Sequence, residues 1–167
     1  PVGVHLIAGL FSATTYNRSA HTIPLLRRKL ARTLHEAGFE PRSHNGRALA
    51  NIVETLPRDE LFQVTDQQLL DVSLGLLELQ QRQRVAVFVR RDDFDRFMSC
   101  LVFVPRDRYT TQLRMAVQQI LERAFDGRVS GHYLQVGDAP HALQVGVDDR
   151  DRVPLVREHL GQIRTDL

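Results

Sequence analysis

The apolar residues of this chain change their spacing once, near Arg84, and that change sets what the chain can fold into. Before Arg84, apolar residues recur every three or four positions, the spacing that brings side chains to one face of an α-helix. After it, the valines of residues 85–89 stand at alternate positions, which is typical of a β-strand. A helical part followed by a part with strands predicts an α+β fold.

A leading strand and a helix with signals at both ends are predicted at the start of the first part. Residues 3–11 are mostly apolar and indicate a strand, and residues 12–19 are polar and irregular. Thr22 as an N-cap and Pro24 in the first turn predict the start of a helix. Gly38 then predicts its end.

Two more helices are predicted after Gly38, with a short connector between them. The first runs over residues 46–56, where Pro57 stops it, and residues 58–64 form the connector. Thr65 and Gln68 resemble a capping box at the start of the next helix. The apolar stripe of that helix is wide, which indicates burial on more than one side.

The second part of the chain mixes strands and helices. Pro105 ends the return strand of a hairpin, and Gly127 is predicted to close the helix that comes next. The predicted elements are strands over 85–91 and 95–104, a helix over 111–125, a strand over 129–136, a turn over 137–140, a strand over 141–147, and a helix from about 153 onward.

The order of these elements predicts the fold class. With the first three helices counted as one enlarged crossover, residues 2–136 follow the order βαββαβ, the ferredoxin-like plan that ACT domains and RNA-recognition motifs share. We predict an antiparallel sheet with helices on one face and a helical insertion in the first crossover. Residues 1–83 would hold the leading strand and the helical segment. Residues 84–150 would form an ACT-like ββαββ core in one unit with that segment, and 151–167 would begin a further helical segment.

The charge pattern argues against a nucleic-acid partner. The chain has 22 basic and 20 acidic residues and a formal net charge of +2. Acids interleave with arginines, as in residues 148–152, and such mixed runs are typical of solvated faces. Residues 96–103 have the arginine and two aromatics of an RNA-binding strand but lack its glycine.

Cysteine content and hydropathy indicate a cytoplasmic protein. Cys100 is the only cysteine, so no disulfide can form within the chain, and its apolar neighbours indicate a buried structural thiol. No apolar stretch approaches the roughly 18 residues that span a bilayer. The first residues show no signal-peptide pattern. We therefore expect no membrane contact.

The sequence shows no motif for catalysis or for cofactor binding. The glycines never form GxGxxG, and neither a GxxxxGK[ST] loop nor a GxSxG elbow occurs. His132 and His141 lie on neighbouring predicted strands, where a metal pair is conceivable, but two surface histidines are the favoured interpretation. No catalytic, cofactor-binding or metal-binding residue is therefore predicted.

A dense polar loop is the first candidate for a structural or docking role. It contains Tyr16, Asn17 and Arg18 next to the end of the predicted leading strand. Such loops can bind ligands. The favoured interpretation is structural, with Asn17 or Ser19 making a turn or capping the helix.

Two arginine-rich motifs are the other candidates for docking. Each follows a proline at the end of a regular element, where backbone groups need partners that the arginine fork can supply. Because neighbouring side chains on a helical turn diverge, Asp59 and Glu60 make a poor acid–base pair, and Glu60 is expected to face solvent or to meet Arg58. The motifs are Arg58-Asp59-Glu60 and Arg106-Asp107-Arg108-Tyr109.

Several long stretches resemble the large bacterial NAD-dependent glutamate dehydrogenases, in consistent order over about residues 9–125. Long motifs in register are far more specific than the short patterns above. The stretches that carry the resemblance are Gly9 to Ser19, Ile23 to Lys29, Pro57 to Gln63, Val87 to Asp92, and Ser99 to Tyr109.

The resemblance implies a role away from the active site. In that family, ACT-type and helical segments precede the catalytic domain, and this stretch is similar to the second ACT-type region with its preceding linker. The family oxidises L-glutamate to 2-oxoglutarate and ammonia with NAD, using positioned lysines and a Rossmann domain. Lys29 is the only lysine here, so no catalytic residue carries over.

Three functions remain open on the sequence. The favoured one is a regulatory or scaffolding segment, inactive alone, whose partners are other domains of the same polypeptide and further copies. The others are an amino-acid-sensing ACT-type domain and an RNA-binding module. An apolar face of the 85–104 hairpin left open would be covered by the 66–82 helix or by a second molecule, and we expect partial cover by the helices and a weak homodimer. Arg90 and Arg91, expected at the hairpin tip, would limit edge-to-edge pairing.

Overall fold

The structure is a computed structural model that describes residues 9–81, 84–94, 96–135 and 141–149. Its elements follow the predicted change from helices to strands near Arg84, which confirms the α+β class. In chain order they are α1 (Ala13–Asn17), α2 (Pro24–Glu36), α3 (His44–Thr55), α4 (Arg58–Gln63), α5 (Asp66–Gln81), β1 (Ala86–Arg91), β2 (Phe97–Val104), α6 (Thr111–Ala124), β3 (Gly127–Gln135) and β4 (His141–Asp149), with 3-10 turns at Ala20–Thr22 and Arg106–Arg108.

Helix α2 begins at Pro24, one residue later than an N-cap at Thr22 predicts. Ile23 occupies the N-cap position and supplies no side-chain cap. The Thr22 hydroxyl instead donates to the Ser19 carbonyl at 2.8 Å, because Thr22 belongs to the preceding 3-10 turn. At the other end Gly38 has φ +69°, which confirms the predicted left-handed residue after the helix.

The structure differs from the prediction at the start of α3 and in the connector. Helix α3 begins two residues early because Ser43 is its cap, accepting from the Gly46 N–H at 3.0 Å. The connector over residues 58–64 is mostly helix α4. The capping box before α5 is confirmed: the Thr65 N–H donates to Gln68 at 2.9 Å, and the Gln68 N–H donates to the Thr65 hydroxyl at 3.2 Å.

The four described strands form one antiparallel sheet in the order β1-β2-β4-β3. Strand β4 therefore lies inside the sheet, between β2 and β3. Of the leading strand predicted over residues 3–11, only residues 9–11 are described, and they are not in a strand. The remaining residues of that prediction, the turn at 137–140 and the helix from 153 lie outside the described residues.

The two faces of the sheet pack against different helices. Alternate residues of β2 join two apolar clusters, so all of this strand except Phe97 is buried. The cluster that includes α6 contains Met98, Cys100, Val102, Val104, Val117, Leu121, Phe125, Val145 and Val147. The other contains Leu101 and Phe103 of β2 together with the apolar faces of α2 to α5, among them Leu26, Leu30, Leu49, Val53, Leu61 and Leu69.

Helix α5 comes close to β1 at a glycine. A Cβ added to Gly75 would lie 2.8 Å from the ring of Phe88, so the absent side chain makes room for that ring. Phe88 in turn packs edge-on against Phe103 at 5.8 Å. The helices thus cover at least part of the hairpin face that carries Phe88 and Phe103.

Two boundaries in the second part differ from the prediction. Strand β2 begins at Phe97, because Phe94 belongs to a turn that the Asp92 carboxylate holds through the backbone N–H groups of Phe94 and Arg96. Helix α6 is followed by Asp126 at φ 43°, so an aspartate and not the predicted Gly127 adopts the left-handed conformation. Aspartate tolerates that conformation better than most residues.

Candidate functional site

A buried ion pair connects the helices to the sheet. Glu60 of α4 and Arg90 of β1 are 3% and 7% exposed. The Arg90 guanidinium donates to both Glu60 oxygens, with its Nε 2.9 Å from Oε2 and its Nη2 3.1 Å from Oε1. Two parallel bonds of this kind fix the geometry as well as the charge balance.

Further polar groups complete this pair. The Ser99 hydroxyl donates to Glu60 Oε1, and Arg90 Nη2 also donates to the Gln63 side-chain oxygen at 2.9 Å. Arg90 and Ser99 are direct cross-strand partners, so β1 and β2 present them side by side to α4. We call Glu60, Arg90 and Ser99 the buried cluster, and Gln63 is exposed at its edge. The bonds of this cluster offset the cost of removing two charges from water.

The buried cluster corrects two predictions. Glu60 neither faces solvent nor pairs with Arg58, and Arg90 is not an exposed residue at the hairpin tip. The partners lie 30 residues apart in sequence, so local spacing could not reveal them. An arginine within an alternating strand was the available signal, because such a residue on a buried face needs an acidic partner.

Arg58 ties α4 to the segment before it. Its guanidinium donates to the Glu54 carboxylate at 2.7 Å, to the Glu54 carbonyl at 3.3 Å and to the Arg18 carbonyl at 3.2 Å. Arg58 thus satisfies one backbone carbonyl near the end of α3 and one in the loop after α1. Arg18 contributes its carbonyl to this contact, and its side chain is exposed.

Glu54 gathers the polar loop onto the end of α3. Its carboxylate accepts from the Ser19 hydroxyl at 2.5 Å and from the Ala20 N–H at 3.1 Å. Burial alone would raise the pKa of Glu54, but the hydrogen bonds from Ser19, Ala20 and Arg58 outweigh it and hold the pKa below its usual value. Ser19 also caps the 3-10 turn, and Asn17 is the exposed last residue of α1.

Tyr16 and Asp59 join the polar loop to α4 directly. The Tyr16 hydroxyl donates to the Asp59 carboxylate at 2.8 Å. That hydrogen bond raises the pKa of Tyr16, because the phenol is a donor only while it is protonated. The structure therefore brings Tyr16 and the Arg18 backbone together with Arg58 and Asp59.

Lys29 closes the other end of α4. Its ammonium donates to the carbonyls of Leu61 at 2.8 Å, Phe62 at 3.2 Å and Val64 at 2.5 Å. Burial lowers the pKa of Lys29, but the three carbonyls give each of its protons an acceptor. A compact group with three donors suits a helix end that an arginine fork would not fit. The signal in the sequence was a single lysine among arginines.

The second arginine-rich motif lies on the other side of the sheet. Arg106, Asp107 and Arg108 form a 3-10 turn after β2, with Asp107 and Arg108 exposed. Tyr109 is half-buried against the cluster that includes α6. Glu60 meets the sheet from the helical side, so the two motifs belong to opposite faces.

The described residues contain neither a candidate metal cluster nor a Rossmann crevice. They contain no group of three His, Cys, Asp or Glu side chains that could hold a metal ion. His132 is the cross-strand partner of Val145 and not of His141, which lies four residues before Val145 on β4. All pairings of the described sheet are antiparallel, so it lacks the parallel βαβ crevice in which a Rossmann fold binds NAD.

Cys100 is a structural thiol, as predicted. It is completely buried between β1 and β4 in the cluster that includes α6. Burial raises the pKa of the thiol far above its usual value, so the nucleophilic thiolate is not populated near neutral pH. No helix within the described ranges is both long and apolar enough to cross a membrane.

Two family models match neighbouring parts of the chain. "Glutamate dehydrogenase, helical motif 1" matches residues 23–82, which contain α2 to α5. "Glutamate dehydrogenase, ACT2 domain" matches residues 86–151, which contain the sheet and α6. No solved structure matches the chain.

Curated relatives carry the same enzyme name. A NAD-specific glutamate dehydrogenase of Halomonas elongata is 46% identical over 75% of this chain, one of Pseudomonas aeruginosa is 42% identical over 68%, and one of Mycobacterium tuberculosis is 37% identical over 83%. The matches span only 7–8% of the length of these relatives. Two adjoining matches to one enzyme, together with these relatives, show that the chain belongs to the NAD-specific glutamate dehydrogenase family, whose helical motif 1 and ACT2 domain it carries.

Proposed function

We propose that this chain is a non-catalytic scaffolding and regulatory segment of a NAD-dependent glutamate dehydrogenase. The parent enzyme would oxidise L-glutamate to 2-oxoglutarate and ammonia with NAD at a site elsewhere in its polypeptide. The buried cluster carries the proposal, because it joins the helical motif to the ACT2 sheet. A buried pair of opposite charges fits a fixed junction between two regions better than a mobile catalytic site.

The state of the ionisable groups also supports a scaffolding role. The Lys29 ammonium donates all three of its protons to backbone carbonyls, and the Cys100 thiol is buried and protonated. Glu60 is committed to Arg90 and Ser99. None of these groups is presented to a substrate, whereas general acid–base or nucleophilic catalysis requires a group within reach of one.

The proposed partners are the other domains of the same polypeptide and further copies of it, in the cytoplasm. The exposed charges of the Asp107 and Arg108 turn suit docking to another polar protein surface. We propose no nucleic-acid or membrane partner. An amino-acid effector is the second candidate, since ACT domains often bind amino acids, and calorimetric titration of the chain with common amino acids separates it from a purely structural role.

The full-length enzyme carrying Arg90→Met tests the proposal. The variant takes the Arg90 guanidinium away from the buried Glu60 carboxylate, so we expect a lower melting temperature and weaker assembly. The molecules that remain assembled should keep their kcat and KM for glutamate. Arg32→Met is the matched control, because Arg32 is also paired with an aspartate, Asp66, but the two side chains are 56% and 30% exposed. A fall in kcat for Arg90→Met with melting and assembly unchanged would overturn the proposal.

A further inference from the structure

Residues 9–22 lie on the surface of the helical motif as a strap. None of the residues from 9 to 19 is buried, and Leu10 and Phe11 are strongly exposed. Ala20 is the strap's buried anchor. A segment with so little buried apolar surface opens at low free-energy cost, so its first part can leave the surface while Ala20 holds its end.

The side-chain contacts that hold residues 11–19 of this strap lead to α4 or to the end of α3. The Phe11 ring stacks on Phe62 of α4, with ring centres 4.2 Å apart and planes 13° from parallel. The Tyr16 hydroxyl donates to Asp59 of α4. Nearer the anchor, Glu54 holds Ser19, and Arg58 holds the Arg18 carbonyl.

Helix α4 divides its residues between the strap and the sheet. Asp59 and Phe62 contact the strap, and Glu60 and Gln63 contact Arg90. Residues three apart share a helix face, and neighbours point about 100° apart. The short helix therefore has one side on the strap and another on the sheet. Any rotation or shift of α4 changes both sets of contacts together.

We infer that α4 couples the strap to the ACT2 sheet, so that release of the strap loosens the buried cluster. A binding event or a pull on the strap would reach β1 and β2 through Asp59 and Phe62 on one side of α4 and through Glu60 and Gln63 on the other. This inference rests on the proposed regulatory role, and it names the path by which a change in the strap would reach the sheet. It requires no movement of α6, which packs on the opposite face of the sheet.

Amide hydrogen exchange of the whole chain tests the coupling. The variant is Tyr16→Phe combined with Phe11→Ser, which removes a hydrogen bond and a ring stack from exposed positions and leaves every buried side chain in place. We expect exchange in the strap and α4 to rise, and exchange around Arg90 and Ser99 to rise about threefold to tenfold. Exchange in α6 should change less.

Ser43→Ala is the matched control. It removes the cap of α3, a contact within the helical motif that does not involve the strap or α4. Its effect shows how a general loss of stability spreads over the chain. Faster exchange confined to the strap would overturn the coupling. So would a change spread evenly over all elements, as in the control.

The coupling and the proposed function can fail separately. Assembly and turnover of the Arg90→Met enzyme test whether the segment is a scaffold. Exchange in the strap variant tests only whether α4 transmits a local release. An Arg90→Met enzyme that behaves as expected beside a strap variant with no effect on β1 and β2 would leave a scaffold without this coupling.

Discussion

At the scale of single residues, the buried carboxylate of Glu60 is the main polar contact between the helices and the sheet. Glu60 has Arg90 and Ser99 as partners, and neither could be identified by spacing along the chain. Lys29 is similar, since its acceptors lie 32 to 35 residues away. The spacing of apolar residues predicts which face of a helix or strand is buried. It does not predict which faces pack together, and the contacts of Glu60 and Lys29 show that.

The buried ion pair should show strong coupling in a double-mutant cycle. Removing one partner leaves the other charge buried, so Glu60→Leu and Arg90→Met should each cost about 3–5 kcal/mol of unfolding free energy. The double variant should cost clearly less than their sum, because it removes both buried charges together. Urea unfolding of the four proteins measures this. Additive costs would mean that the pair contributes little beyond its separate contacts.

Removing the Ser73 hydroxyl should not lower the stability of the fold. Ser73 is completely buried in α5, and its hydroxyl has no hydrogen-bond partner among the described residues. An unsatisfied buried hydroxyl costs about 1–3 kcal/mol, so Ser73→Ala should be neutral or should raise the melting temperature. Thr33→Val is the control, because the equally buried Thr33 hydroxyl donates to the Lys29 carbonyl. A loss of stability in Ser73→Ala as large as that in Thr33→Val contradicts the prediction.

Asp92 should make the hairpin turn sensitive to acid only at low pH. Hydrogen bonds from the Arg96 guanidinium lower the pKa of Asp92 from 3.8 to about 2. A lowered pKa means that the ionised form stabilises the fold above pH 3.8 and that this contribution is lost as pH falls toward 2.

Thermal melts of the wild type and Asp92→Asn from pH 6 to pH 2 measure this contribution. The gap between their melting temperatures should be constant above about pH 4 and should narrow as Asp92 becomes protonated. Asp93→Asn, at the exposed neighbouring position, should show a small gap throughout. A gap for Asp92→Asn that does not depend on pH would contradict the prediction.

At the scale of elements, the sequence predicted most of what is local. The capping box before α5, the left-handed Gly38 and the hairpin of β1 and β2 all follow from neighbouring residues. Helix α4 was missed because six residues are too few to show a helical period. The central place of β4 could not be predicted, because strand order depends on packing between distant segments.

Substitution of two glycines by alanine tests how closely these elements pack. A Cβ at Gly46 would lie 2.1 Å from the backbone oxygen of Glu40, which cannot rotate away. Gly46→Ala should therefore cost at least about 2 kcal/mol. Gly75→Ala meets only the tip of the Phe88 ring and gains helix propensity of about 1 kcal/mol, so it should cost clearly less. Chemical denaturation ranks the two, and the reverse order would show that the turn at Glu40 is softer than its geometry indicates.

At the scale of the whole molecule, the helices change the expectation for self-association. They cover the Leu101 and Phe103 face of the sheet, which was the apolar surface that favoured a homodimer. The described sheet still has β1 and β3 at its edges, and edge strands can pair with further copies. We predict weak self-association through an edge. Sedimentation equilibrium over a range of concentrations decides it, and a strict monomer at the highest soluble concentration would contradict it.

At this scale we expect helical motif 1 and the ACT2 sheet to unfold as one unit held by the buried cluster. Cys100 offers a direct probe, because it is the only cysteine and lies completely buried in β2. Its labelling by a thiol reagent reports opening of the sheet, and circular dichroism reports mainly the helices.

Urea unfolding of the chain followed by both signals is therefore the most direct measurement. A single cooperative unit predicts that ellipticity and Cys100 protection are lost with coincident midpoints. Loss of the helical signal at a lower urea concentration, with Cys100 still protected, would show that the two regions are separate units and that the buried cluster does not join them.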